Sequence, residues 1–183
     1  MAIQIGVFVL GSTFLLWLSR AALRDPGSHG FTRLFAWEAI LALLVLNGPY
    51  WFEDRFAPHQ LVSWALLYTS IAVLVAGVYL LRRVGRPGAA REETGLFAFE
   101  KTSALVTVGI FRYIRHPLYT SLLLLAWGVF FKRPELSGLL CALAATFCLW
   151  LTARRDEKEC LAYFGDDYRR YMQRSKRFIP FLF

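Results

Sequence analysis

At 183 residues the chain has room for one domain, and with 57% hydrophobic against 19% charged residues it is too apolar for an ordinary soluble one. The net charge of +8 does not make it a nucleic-acid binder, because the arginines flank apolar runs and form no basic face of their own. Cys141, Cys148 and Cys160 have neither metal-ligand nor disulfide-framework spacing, which excludes a zinc module and a disulfide scaffold.

The first apolar run, residues 2–23, has no basic segment before it and no small-residue cleavage site, so it reads as an uncleaved span. Asp25-Pro26-Gly27-Ser28 supplies a turn. The second run, 34–52, holds Glu38 near its start and Asn47-Gly48-Pro49 near its end, where Pro49 should kink or stop the helix. The third covers 61–81. Each has roughly 20 residues, enough at 1.5 Å per residue to cross a hydrocarbon core of about 30 Å. A polar, arginine-bearing stretch over 82–101 reads as a loop or interfacial strand. Runs 118–131 and 136–152 then flank Lys132-Arg133-Pro134-Glu135. The first of these, roughly 21 Å as helix, is short for a crossing. Either helix from before Pro117 extends it, or the two runs make a tight hairpin.

The tail, 153–183, reads as a separate amphipathic basic helix against the membrane surface, with Glu157, Leu161, Phe164, Tyr168 and Tyr171 on one face. Gly165 is placed to break it, and Asp166 or Asp167 to cap a second piece. Charge then sets the orientation. Three basic residues lie in the first loop (Arg20, Arg24, Arg33), seven between Arg82 and Arg115, and eight from Arg154 onward. Only Arg55, Lys132 and Arg133 fall on the other side. The positive-inside rule puts the N-terminus outside and the C-terminus in the cytoplasm. The expected fold is all-α: a single polytopic membrane domain over 1–183 with about five transmembrane helices and a C-terminal amphipathic cytoplasmic helix. Three N-terminal spans occupy 1–83.

Two places break the rules of a membrane protein, both on the arginine-rich side. Arg112-Tyr113-Ile114-Arg115-His116-Pro117-Leu118-Tyr119 sets two arginines, a histidine and two tyrosines at the mouth of a span. Pro117 suits a first helical position, leaving Arg115 and His116 beside backbone N–H groups that favour an anion. Snorkelling arginines beside a helix-starting proline would explain the same residues. The second place is Asp156-Glu157-Lys158-Glu159, where Glu157 falls on the apolar stripe; a solvated charge run is the plain alternative. The hairpin between them returns the chain to one side, so the two combine into a polar pocket for a zwitterionic or ribose-bearing cofactor, open to lipid.

The residues 109–119, with Asp156-Glu157, Phe164-Gly165-Asp166-Asp167-Tyr168-Arg169-Arg170-Tyr171 and Arg177-Phe178-Ile179-Pro180, resemble the isoprenylcysteine carboxyl methyltransferase and phospholipid methyltransferase group. The likeness covers roughly residues 105–180, within the cofactor-binding part expected over 84–183. It implies S-adenosylmethionine as cofactor and a lipophilic small molecule or lipid as acceptor: a prenylcysteine-type carboxylate, a lipid amine or another hydrophobe. It places Arg115, His116, Pro117, Tyr119 and Glu157 at the cofactor, with Arg115 and Glu157 in the catalytic roles and no metal. Glu157 is favoured over Asp156, because relatives commonly carry Glu-Glu there. Phe111 replaces a tyrosine common in relatives.

Methyl transfer from a sulfonium asks for orientation and desolvation more than for side-chain chemistry, so the absence of a Ser-His-Asp set is no objection. Two other readings stand. Membrane enone or steroid reductases using NADPH carry a similar Arg-His-Pro-x-Tyr element, but usually with asparagine where this chain has Leu118, and an acidic residue soon after where it has Thr120-Ser121. A non-catalytic membrane scaffold could keep the fold alone.

Overall fold

The computed structural model describes residues 2–86 and 100–181. Most of the stretch expected as a loop or interfacial strand, 87–99, lies outside the described residues. Among the described residues six helices carry the fold: α1 (Ala2–Leu18), α2 (His29–Asn47), α3 (Pro58–Val84), α4 (Pro117–Phe130), α5 (Leu136–Phe164) and α6 (Asp166–Arg174). Single 3-10 turns lie at Ala22–Arg24, Gly48–Tyr50 and Gly109–Arg112. The chain is an all-α polytopic membrane protein. α2, α3 and α5 are long and apolar enough to cross a bilayer, while α1 and α4 are apolar but shorter.

Local chemistry sets the boundaries. Ser28 accepts from the Phe31 N–H and starts α2 at His29, five residues earlier than the apolar run implies. Arg33, expected in a loop, is therefore inside the helix and buried. The first helix stops at Leu18 rather than near residue 23. Pro49 sits in the 3-10 turn that ends α2. Proline occupies the first position of both α3 and α4, so α4 has no extension upstream of Pro117 and remains 14 residues long.

The tail is not a separate object. α5 runs 29 residues without a break, about 43 Å, so its last turns project beyond a hydrocarbon core of about 30 Å. Asp156 and Glu157 therefore sit on the same rigid rod as the membrane span. Gly165, at φ +57°, ends it and occupies the N-cap position of α6. Asp166 and Asp167 lie in the first turn instead, paired with Arg169 and Arg170. The tyrosine face of α6 packs on Cys160, Leu105 and Phe164 within the protein.

α3 runs antiparallel to α4, and small polar groups join the helices, as membrane packing favours. Along α3 and α4, Ser63 donates to the Gly128 carbonyl and Ser70 to that of Ser121, each at 2.7 Å. Asn47 ties α2 to the end of α4 through the Val129 carbonyl at 2.7 Å, and Thr152 of α5 donates to Thr32 of α2 at 3.0 Å. Leu43, Ala126, Val129, Ala142 and Ala145 form the core between these helices. α1 buries no residue and rests on α2, where Ser12 donates to Glu38 at 2.5 Å. At the end away from most of the arginines, Lys132 is buried over the Trp64 ring, 3.4 Å from its centroid, and donates to Gln60.

A side chain at Gly165 meets no neighbour, so only backbone strain opposes it. Gly165→Ala is expected to cost about 1–3 kcal/mol and to lower the melting temperature in detergent; an unchanged melt would show that α5 and α6 tolerate another junction.

Candidate active site

The turn Gly109–Arg112 carries the chain to Pro117, and residues beyond α6 fold back beside it. Ile114 and Lys176 form a parallel bridge: the Lys176 N–H donates to the Tyr113 carbonyl at 2.9 Å, and the Arg115 N–H to the Lys176 carbonyl at 2.7 Å. The His116 N–H reaches the Arg177 carbonyl at 3.2 Å. Thr120 donates to the Phe178 carbonyl at 3.1 Å, and the Tyr171 hydroxyl to that of Phe111 at 2.6 Å. The segment from Ser175 to Phe178 is thus a strap that fixes the entry to α4.

Glu157 lies at the centre of this junction and is 4% exposed. Arg115 donates through Nε to Oε1 at 3.0 Å, with Nη2 at 3.0 Å from the same oxygen. Arg177 grips both oxygens, Nε to Oε1 at 3.1 Å and Nη2 to Oε2 at 2.7 Å. His116 Nε2 stands 3.4 Å from Oε1. Arg115 also donates through Nη1 to the carbonyls of Met172 and Ser175.

A cavity of about 90 Å³ opens beside this cluster. Arg115, His116, Pro117, Tyr119 and Asp156 form its polar wall. Leu81, Val106, Phe111 and Leu118 also line it, with Tyr168 and Tyr171 of α6. Asp156 accepts from the Tyr119 hydroxyl at 3.1 Å and from the Cys160 thiol at 3.5 Å, and faces His116 Nδ1 at 3.4 Å. Glu100, also on the wall, pairs with the buried Arg33 at 3.1 Å.

Burial opposes a charge on His116, but both ring nitrogens face carboxylates, and the hydrogen bonds to Asp156 and Glu157 outweigh the desolvation. Its pKa is raised above the ordinary imidazole value. Burial pushes the phenols of Tyr168 and Tyr171 up, so both stay neutral.

Sequence and structure thus bring the same two segments together, with roles distributed differently. Arg115, His116, Pro117 and Tyr119 reach the cavity wall, and so does Asp156. Glu157 is not among the lining residues; its carboxylate is taken up by the arginines behind the wall. Cys160 and Glu100 also line the cavity, and Arg33 pairs with Glu100, although the sequence pattern assigns none of the three to a site. Cys160 continues the α5 stripe Leu149, Ala153, Glu157 at helical spacing, and that period would have found it. Glu100 sits in a stretch with no regular pattern and had no such signal.

Helical spans with a part-polar cavity at one end, lined by cations, carboxylates and aromatic rings, make this an integral membrane protein with a candidate small-molecule site. The particular family is given by comparison. The sequence profile of the phospholipid methyltransferase family matches residues 67–165, just over half of the chain, and the chain belongs to that family. It is similar to the probable protein-S-isoprenylcysteine O-methyltransferases of Oryza sativa subspecies indica and japonica. With each it shares 27% identity over 136 residues, 71% of this chain and 69% of theirs. It is also similar to methanethiol S-methyltransferase 1 of Bradyrhizobium diazoefficiens, 29% identical over 73 residues, 39% of this chain and 24% of that protein. No solved structure matches. The protein is an integral membrane methyltransferase.

Removing the Glu157 carboxylate would leave buried guanidinium groups uncompensated. Glu157→Ala is expected to lose about 3–5 kcal/mol in denaturant titration, and an unchanged stability would show that Arg115 and Arg177 find other partners. For His116 the folded pKa lies above the unfolded one. Its stabilisation is therefore complete below the unfolded value of about 6.5 and disappears as pH rises through the folded value. The melting temperature should fall as pH rises above about 6.5, and His116→Gln should flatten that fall.

Proposed function

We propose that the protein transfers a methyl group from S-adenosylmethionine to a lipophilic acceptor, a lipid or a prenyl-type molecule, at the arginine-rich membrane face. By the positive-inside rule that face is cytoplasmic, with the N-terminus outside. One observation carries the reading: the same cavity is lined both by carboxylates, a guanidinium and an imidazole and by aliphatic and aromatic side chains. S-adenosylmethionine needs both kinds of surface, since it joins a zwitterionic amino acid to a nucleoside. The donor set therefore fits it.

When bound, the cofactor supplies a methyl group already activated on a sulfonium. The protein supplies placement and a dry wall. The start of α4 at Pro117 favours an anionic group beside Arg115 and His116. Asp156, oriented by Tyr119, is the acceptor for hydroxyl or ammonium donors. Glu157 acts as a positioning residue: by holding Arg115 and His116 from behind, it fixes the wall on which both lie. Leu81, Val106, Phe111 and Leu118 exclude water and face an apolar acceptor.

The test is binding of S-adenosylmethionine and NADPH, side by side, to detergent-purified protein. Saturable S-adenosylmethionine binding is expected, weakened about tenfold or more by Asp156→Asn and by His116→Ala, the size of a lost charge-assisted hydrogen bond. NADPH binding instead would move the protein to reductase chemistry. Folded protein that binds neither would favour a scaffold.

A further inference from the structure

We propose that Asp156, His29 and Glu159 form a proton outlet from the cavity, and that the acceptor is accordingly a protic nucleophile, a lipophilic thiol or amine. The inference rests on the methyl-transfer reading and adds the fate of the acceptor's proton.

His29, the first residue of α2, is fully buried. Its Nδ1 lies 2.5 Å from one oxygen of Glu159, and its backbone N–H donates to the other at 2.9 Å. One carboxylate thus fixes both ring and helix start. Arg155 holds the preceding turn through the carbonyls of Pro26 and Ser28, at 2.6 and 3.1 Å. The remaining ring nitrogen, Nε2, is buried and has no hydrogen-bond partner. His29, Asp156 and Glu159 each bring a side-chain N or O within 4.8 Å of the other two, a gap that one water can bridge. Asp156 lines the cavity, and the Glu159 side chain is 19% exposed. The three titratable groups therefore lead from the cavity towards water.

Three such groups also have the composition of a metal site. Nδ1 and the Glu159 oxygen at 2.5 Å are instead a hydrogen-bonded pair, well inside the spacing of two ligands on a tetrahedral ion. With Nδ1–H donated to Glu159, the neutral ring carries its lone pair on Nε2, the arrangement of a base oriented by a carboxylate. The charged and titratable groups around this relay are Arg33 on α2, His116 and Tyr119 at the start of α4, and Cys160 on α5.

The stoichiometry of the transfer gives the outlet its purpose. A thiol or amine uses its lone pair to form the bond to the methyl carbon, while the carbon–sulfur bond breaks and its electron pair stays on sulfur. The acceptor's S–H or N–H proton passes to the Asp156 carboxylate, then to the His29 ring, and a ring proton leaves through Glu159 to water. A carboxylate acceptor becomes an ester and releases no proton, so it has no use for this chain.

The test uses full-length protein in detergent with labelled S-adenosylmethionine and three probes: hexadecanethiol, hexadecylamine and N-acetyl-S-farnesylcysteine. Methyl transfer to the thiol or the amine is expected. His29→Gln should lower kcat about 100-fold and abolish the acid limb of its pH profile. Its S-adenosylmethionine Kd by calorimetry should change less than about twofold. Glu159→Gln, at a partly exposed position, should shift that limb to lower pH. The ring-nitrogen NMR titration of His29 should shift with it, a readout independent of turnover. Transfer to the farnesylcysteine carboxylate alone, transfer to none of the three by protein that binds S-adenosylmethionine, or an unaltered pH profile in folded His29→Gln would each overturn the outlet. Absence of S-adenosylmethionine binding would overturn the methyltransferase reading itself, and the outlet with it.

Discussion

Taking the Glu157 carboxylate out of water costs several kcal/mol, and that cost is offset only when its cationic partners are in place. Those partners come from far apart in the chain. Arg115 and His116 precede α4, Glu157 belongs to α5, and Arg177 follows α6. The strap cannot leave without stranding a charge, and neither can the entry to α4. The cavity inherits its shape from this: its polar wall is the front of a cluster whose back is Glu157, and Tyr168 and Tyr171, which also line it, sit on the helix leading into the strap.

The remaining polar contacts do a related job within the membrane. Hydroxyls and one amide on α3, α2 and α5 reach across to backbone carbonyls or to each other, so small side chains set helix register where burial of apolar surface drives little association. Together with the Glu157 cluster they hold the start of α4 between α3, α5 and the tail.

Much of this was legible in the sequence. The apolar runs gave the helices, and the Arg-His-Pro element and the acidic pair that stood out in the sequence meet beside one cavity. Helix ends were less so, because apolarity marks where lipid is and not where helix stops. His29, Arg33, Ala36, Ile40, Leu43 and Asn47 recur at spacings of four and three, one buried stripe, yet its first two members are polar and fell outside a run defined by hydrophobicity. The same criterion cut α5 at residue 152, although its stripe continues through Ala153, Glu157 and Cys160. The division of labour between Asp156 and Glu157 had no sequence signature. Neighbours on a helix differ by about 100° in direction, and only the position of Arg177 decides which one the arginines take.

The shortness of α4 has a consequence for the lipid around it. Its 14 residues span roughly 21 Å, about 9 Å less than the hydrocarbon core. The far end is anchored by Lys132 among Trp51, Trp64 and Gln60 and by Arg133 over Tyr50, so the mismatch falls at Pro117. A span shorter than the core is accommodated by local thinning of the bilayer, and such thinning would fall at the end of α4 that borders the cavity.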